Sequence, residues 1–206
     1  MTIFRSGWTL ALLVAIFAVA AWIGGVTNPW DIAANTALLK LRLAHPGLTQ
    51  FAIAVTFFGS AYATIGFGLL AALWLVVRRR LVLAGWLAGG IALERLSADG
   101  LKLLFDRPRP NFDLPAVATS SSSFPSGHSA NSLAIYLMIA LTLAPARYRV
   151  PAVLAASAMG IAAGLTRPFL GVHWPTDVIG GWALALIAVW IFLWAGSRSG
   201  ARPFEQ

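Results

Sequence analysis

Long apolar runs, broken by short clusters of proline, glycine or charge, mark six candidate spans near residues 8–26, 51–77, 81–105, 127–145, 150–166 and 178–196. Most of them approach the roughly 20 residues a helix needs to cross a hydrocarbon core. The pattern therefore predicts an all-α fold, a six-transmembrane-helix bundle. Residues 28–46 are too polar to span, yet Trp30, Ala33, Ala37, Leu38 and Leu41 recur near helical spacing. They predict an external interfacial helix lying on the bilayer, with a short packed connector as the alternative. No internal repeat is visible, so residues 1–206 read as a single membrane-integral domain.

The first run, Trp8 to Val26, follows Arg5 and has small residues at Ala18 and Ala20 that could serve a signal peptidase. Its roughly 19 apolar residues exceed the usual 7–15 of a signal core, which predicts a retained span. Sequencing the mature amino terminus decides between the two.

Composition agrees with lipid as the main solvent. Hydrophobic residues make up 59% of the chain and charged residues 11%, against about 25% charged in soluble domains. The formal charge of +8 lies in clusters between apolar runs and forms no stripe along a soluble element, which argues against nucleic acid. The absence of cysteine excludes disulfides and thiolate metal sites.

Loop charge orients the bundle. With the amino terminus inside, Arg5, Arg78, Arg79, Arg80, Arg147, Arg149, Arg198 and Arg202 are cytoplasmic, and an even number of spans returns the carboxyl terminus to the same side. The outer segments hold Lys40, Arg42, Lys102, Arg107, Arg109 and Arg167, with Arg95 inside the third span.

Several of these outer cations belong to motifs. The third span ends with Lys102, Arg107 and Arg109, and Pro110 follows. Charge near hydrocarbon reads as functional unless it snorkels to the interface, as lysine and arginine readily do. The fourth span opens Phe124-Pro125-Ser126-Gly127-His128-Ser129. Serine can cap a helix there, and glycine lets an anion approach amides that carry partial positive charge. The fifth runs through Thr166 and Arg167 toward His173 and Asp177. If Pro175 begins a helical turn, these last two share a face and the carboxylate can orient the imidazole for attack. All three motifs fall on the external side of the predicted topology.

Together they resemble the type-2 phosphatidic acid phosphatase family, which includes undecaprenyl pyrophosphate phosphatases. Lys102 with Arg109-Pro110, Pro125-Ser126-Gly127-His128, and Arg167 with His173 and Asp177 carry the resemblance, which spans roughly residues 95–180. Thr166 stands where the family usually has serine, and Pro168 is also less usual. The resemblance implies a membrane-integral phosphatase core in which His173 is the nucleophile, Asp177 orients it and His128 is the general acid. It further implies that Lys102, Arg109, Arg167, the Ser126 hydroxyl and the Gly127 amide hold the phosphate oxygens.

No cofactor or metal is expected. The carboxylates near the motifs, Asp99, Asp106 and Asp113, are too scattered for a hard-metal site. The expected partner is a membrane lipid carrying a phosphate monoester or pyrophosphate, met at the outer face of a bacterial-type inner membrane. Undecaprenyl pyrophosphate is the leading expectation, with phosphatidylglycerophosphate, phosphatidic acid and lipid A phosphate as alternatives. A small anion or lipid transporter is the non-enzymatic alternative, although transporters tend to hold charge at mid-membrane within repeated halves. Oligomeric state stays open, a homo-oligomer included. Arg95 and Asp99, four apart, predict a buried structural ion pair, with headgroup recognition as the alternative, and Glu94 beside them has no assigned role. Trp8, Trp22, Trp30, Trp174 and Trp182 are expected as interface anchors.

Overall fold

Helix starts in this chain are written locally, by side chains that take up backbone amides left without partners at a first turn. In the computed structural model Ser6 caps α1 (Gly7–Ile23), Asn28 caps α2 (Pro29–Ala44) and Ser60 caps α4 (Ala61–Val77). Ser126 caps α6 (Gly127–Leu143). The remaining helices are α3 (Pro46–Gly59), α5 (Leu81–Phe105), α7 (Arg149–Phe169) and α8 (Pro175–Arg198). The structure describes residues 6–111, 115–117, 119 and 121–198; Arg5, Asp113, Ser120 and Arg202 lie outside the described residues.

Helices α5 and α8 and the helical stretch Ala146–Phe169 are each long and apolar enough to cross a membrane. The predicted second span is not one helix. It begins earlier, at Pro46, and breaks at Ser60, where α3 and α4 meet at 45°; taken as a bent pair they meet the same criterion. The break has a local cause, since the Ser60 hydroxyl accepts from the Ala63 amide and starts a new helix. Helices α1 and α6, 17 residues each, are apolar but shorter. At 1.5 Å per residue they reach about 25 Å, under the roughly 30 Å of a hydrocarbon core. The predicted fifth span also ends later than expected, so that Arg167 and Pro168 belong to the last turn of α7.

The interior centres on α6, which packs against α4, α5, α7 and α8. Leu133, Ala134, Leu137, Met138 and Leu141 of α6 meet Leu87 of α5 and Ala185, Val189 and Phe192 of α8. Glycine permits the tightest approaches. A Cβ at Gly160 of α7 would run into the Leu133 backbone, and one at Gly181 of α8 would press on the Ser126 carbonyl. These contacts bring the start of α6 against α7 and α8, where the motif residues sit. Large apolar side chains such as Leu12, Val19, Leu69, Leu73, Leu103 and Leu154 point outward, as expected where the solvent is lipid.

Helix α2 turns Trp30, Ile32, Leu41 and Leu43 outward but is tied to the bundle by a polar stripe. Asp31, Asn35 and Arg42 are buried. Their spacing places them along one helical face; Arg42 and Asn35 reach the segment that joins α7 to α8, and Asp31 reaches the first turn of α8. Trp8, Trp22 and Trp30 are exposed near helix ends, as anchors should be, whereas Trp174 is buried and donates to the Pro108 carbonyl at 2.9 Å.

Candidate active site

Four helix ends converge at one end of the bundle: the carboxyl ends of α5 and α7 and the amino ends of α6 and α8. A cavity of about 310 Å³ opens there. Lys102, Arg109, Arg167, His128 and His173 all line it, and Gly127 forms part of its wall. The sequence motifs, whose lining residues run from Lys102 to His173, thus share one chamber of the size that small-ligand sites use.

His173 lies in the short connection before α8 and is 2% exposed. Its Nδ1 faces Asp177 Oδ2 at 3.3 Å, and its Nε2 lies 3.2 Å from Arg109 Nη1. A guanidinium has only donors, so Nε2 is the accepting nitrogen and the ring proton belongs on Nδ1, toward the carboxylate. This tautomer points the Nε2 lone pair at the Arg109 guanidinium, which lines the cavity. The helical turn that begins at Pro175 supplies the register.

Asp177 is fully buried, and each of its oxygens is occupied. Oδ2 accepts from the Trp174 amide at 2.8 Å and from the Ser123 hydroxyl at 2.5 Å. Oδ1 accepts from Arg107 Nη1 at 2.8 Å. Arg107 also donates to the Ala20 and Ala21 carbonyls at the end of α1 and lies over the Phe124 ring at 4.3 Å. Spacing alone did not separate Arg107 from the cations on either side of it. Three cations cluster within Lys102-Leu-Leu-Phe-Asp-Arg107-Pro-Arg109, and only the tertiary fold shows that the middle one turns away from the cavity toward the carboxylate.

Removing one partner of a buried pair leaves an uncompensated charge, which costs about 3–5 kcal/mol. Arg107→Met is expected to lower the thermal midpoint in detergent and to reduce turnover with it. Wild-type stability in that variant would show that Asp177 does not need the pair.

Lys102 and Arg109 are fixed by backbone acceptors, and Arg167 by a side-chain hydroxyl. Lys102 Nζ donates to the Ser122 carbonyl at 2.9 Å. Arg109 donates to the carbonyls of Ser121 at 2.8 Å and Val172 at 2.5 Å. Arg167 donates to Thr56 of α3 at 2.9 Å, and its Nε is buried without a partner among the described residues. Each retains donors for an anion. Burial lowers Arg109 from its ordinary value, and the nearby Asp177 carboxylate opposes that shift.

Burial likewise pushes His173 down to about 3, against the hydrogen bond and charge of Asp177, which raise it. The folded ring therefore binds its proton less tightly than the unfolded one, whose value is near 6.5. The sign follows: this group's contribution to stability is complete above 6.5 and is lost as pH falls from there toward 3. With 15N-labelled histidine, the His173 ring is expected to show one protonated and one bare nitrogen at pH 5. An imidazolium pattern at that pH would contradict this.

Two of the expected site residues do not line the cavity. Asp177 lies behind His173, and Ser126 is buried, its hydroxyl accepting from the Ser129 amide and paired with the Ser129 hydroxyl at 2.9 Å. The Ser126 side chain is thus occupied as a helix cap, while its amide donates to the Asp177 carbonyl at 3.0 Å. Helix α2 fixes the α7–α8 connection from outside. Arg42 donates to the Leu170 carbonyl at 2.7 Å, Asn35 to the His173 carbonyl at 3.2 Å, and Asp31 accepts from the Thr176 amide at 3.0 Å.

The expected buried pair of Arg95 and Asp99 takes a different form. They are 3.0 Å apart, but their side chains are 32% and 50% exposed, and both line the cavity. Glu94, one residue before Arg95, does not line the cavity and is fully buried. Neither of its oxygens finds a partner among the described residues. Among those residues no three histidine, aspartate or glutamate side chains are grouped to hold a metal ion.

Known proteins share this architecture. The PAP2 superfamily profile matches residues 83–200. Phosphatidylglycerophosphatase B of Bacillus subtilis is 36% identical over 118 residues, which cover 55% of this chain and 57% of that protein. The aligned region therefore spans little more than half of that relative. A crystal structure of a transmembrane PAP2-type phosphatidylglycerolphosphate phosphatase from Bacillus subtilis superposes with a TM-score of 0.84 at 27% identity, covering 93% of this chain and 96% of that one. LpxE of Aquifex aeolicus shares the fold alone, with a TM-score of 0.60 at 24% identity over 79% of this chain and 93% of its own. The chain is a membrane protein of the PAP2 superfamily.

Proposed function

We propose that this protein is a lipid phosphatase that cleaves a phosphate monoester through a phosphohistidine on His173, with phosphatidylglycerophosphate as its substrate. The observation that carries the reading is the accepting Nε2 of His173 in a chamber lined by Lys102, Arg109 and Arg167, with Asp177 behind the ring.

In the first half-reaction Nε2 attacks phosphorus, a P–N bond forms, and the bond to the lipid alkoxide breaks. His128 gives that oxygen a proton. Charge on the three non-bridging oxygens is met by the cations, with the Gly127 amide at the start of α6 as a further donor. In the second half-reaction His128 takes a proton from water, the water oxygen attacks phosphorus, and the P–N bond breaks to release inorganic phosphate.

The sequence alone favoured a polyprenyl pyrophosphate. The Bacillus subtilis matches, whose names specify phosphatidylglycerophosphate, support the monoester instead. Loop charge supports placing both termini in the cytoplasm and the cavity at the outer face of the inner membrane. The test is phosphate release by the detergent-purified chain from phosphatidylglycerophosphate, phosphatidic acid and undecaprenyl pyrophosphate, with a chelator present. Fastest turnover of the first, unaffected by chelator, is expected. Cleavage of the pyrophosphate alone, or collapse with chelator, would refute the proposal.

A further inference from the structure

The cavity is longer than one phosphate requires. Its cationic end is formed by Lys102, Arg109 and Arg167, yet its wall continues along α5 to Asp99 and Arg95. Arg95 precedes Lys102 by seven residues, which is about 10 Å along a helix axis. Charged side chains inside a spanning helix are stable only where they pair or face a polar cavity, and these two do both.

Across from them, one turn into α6 beyond His128, Asn131 also lines the chamber. It is 2% exposed, and its Oδ1 is buried without a hydrogen-bond donor among the described residues. Such an oxygen is costly to bury unless a donor reaches it. None of the three residues touches the nucleophile or belongs to a motif, so the reaction as proposed leaves them unused.

Resting on the phosphatase reading above, we propose that Arg95, Asp99 and Asn131 form a second subsite for the leaving group, one that takes a hydroxyl-bearing glycerol linked to a phosphodiester. The guanidinium has five donors, and its bond to Asp99 leaves others for the diester anion. Asp99 and Asn131 are acceptors, which suits a glycerol hydroxyl. A leaving group without that diester and hydroxyl, such as the diacylglycerol of phosphatidic acid, offers these residues nothing to bind. The subsite would therefore act on discrimination between lipids, through a difference of affinities.

The test compares kcat/KM for phosphatidylglycerophosphate and phosphatidic acid of matched acyl chains, in the full chain and in Arg95→Gln, Asp99→Asn and Asn131→Ala. The ratio of the two is expected to fall about tenfold in each variant. A ratio that stays at the wild-type value, whether the separate rates hold or drop together, would overturn the subsite. A second measurement needs no variant. Glycerophosphoglycerol is expected to inhibit wild-type phosphatidic acid hydrolysis at about one tenth the concentration that dimethyl phosphate requires, and equal potency would also overturn it. A wild-type chain that hydrolyses neither lipid would instead sink the phosphatase reading, and the subsite with it.

Discussion

His173→Ala is expected to abolish lipid phosphate hydrolysis, with kcat lower by on the order of 10⁴-fold or more, as for loss of other covalent nucleophiles. The cavity holds hydroxyls at Thr119 and Ser121, but an unactivated hydroxyl is a poor substitute. The variant should still fold. Asp177 keeps the Trp174 amide, the Ser123 hydroxyl and Arg107 when the imidazole is gone, so no buried charge is stranded. Rapid mixing with 32P-labelled substrate and an alkaline quench, which spares phosphohistidine, should trap labelled protein from the wild type and none from the variant. Substantial turnover in His173→Ala would end the covalent mechanism.

His128→Ala should separate the two half-reactions. General acid–base catalysis contributes typically about 10²–10⁴-fold, and His128 is proposed to act once in each direction. With a lipid substrate the alkoxide needs a proton, so phosphoenzyme formation slows. With p-nitrophenyl phosphate the leaving group departs unaided, formation proceeds, and water attack becomes limiting. The expected signature is a burst of nitrophenolate of one equivalent per active site, with labelled protein accumulating. Equal losses on both substrates without accumulation would reduce His128 to a binding residue.

Much of the fold could be read from the sequence because burial in lipid imposes long apolar runs, and these are visible without tertiary knowledge. Helix α5 was legible to the residue, closed by Arg80 on one side and Asp106 on the other. The break at Ser60 was not, since apolar residues continue through it and hydropathy does not register a capping hydroxyl. A Gly-Ser pair at 59–60 was the available signal. The convergence of His128 with His173 could be inferred from topology, because span parity puts their helix ends on one side.

Arg107 and the Arg95–Asp99 pair could not be placed in this way. Side chains of the same type differ in role only through where neighbouring helices put their acceptors. The stripe Asp31, Asn35, Arg42 was readable in principle as polar residues along one helical face. Its meaning depended on the α7–α8 connection more than 120 positions away.

That stripe bears on how much of the chain the motifs require. The profile match begins at residue 83, whereas Asp31, Asn35, Arg42 and the Ala20 and Ala21 carbonyls all precede it. A fragment cut at the start of the match would retain every signature letter while losing the external scaffold that holds the His173 strap and the arginine behind Asp177. Motif completeness is thus no guarantee of competence, and grafting or shortening experiments on this architecture should carry the two amino-terminal helices along.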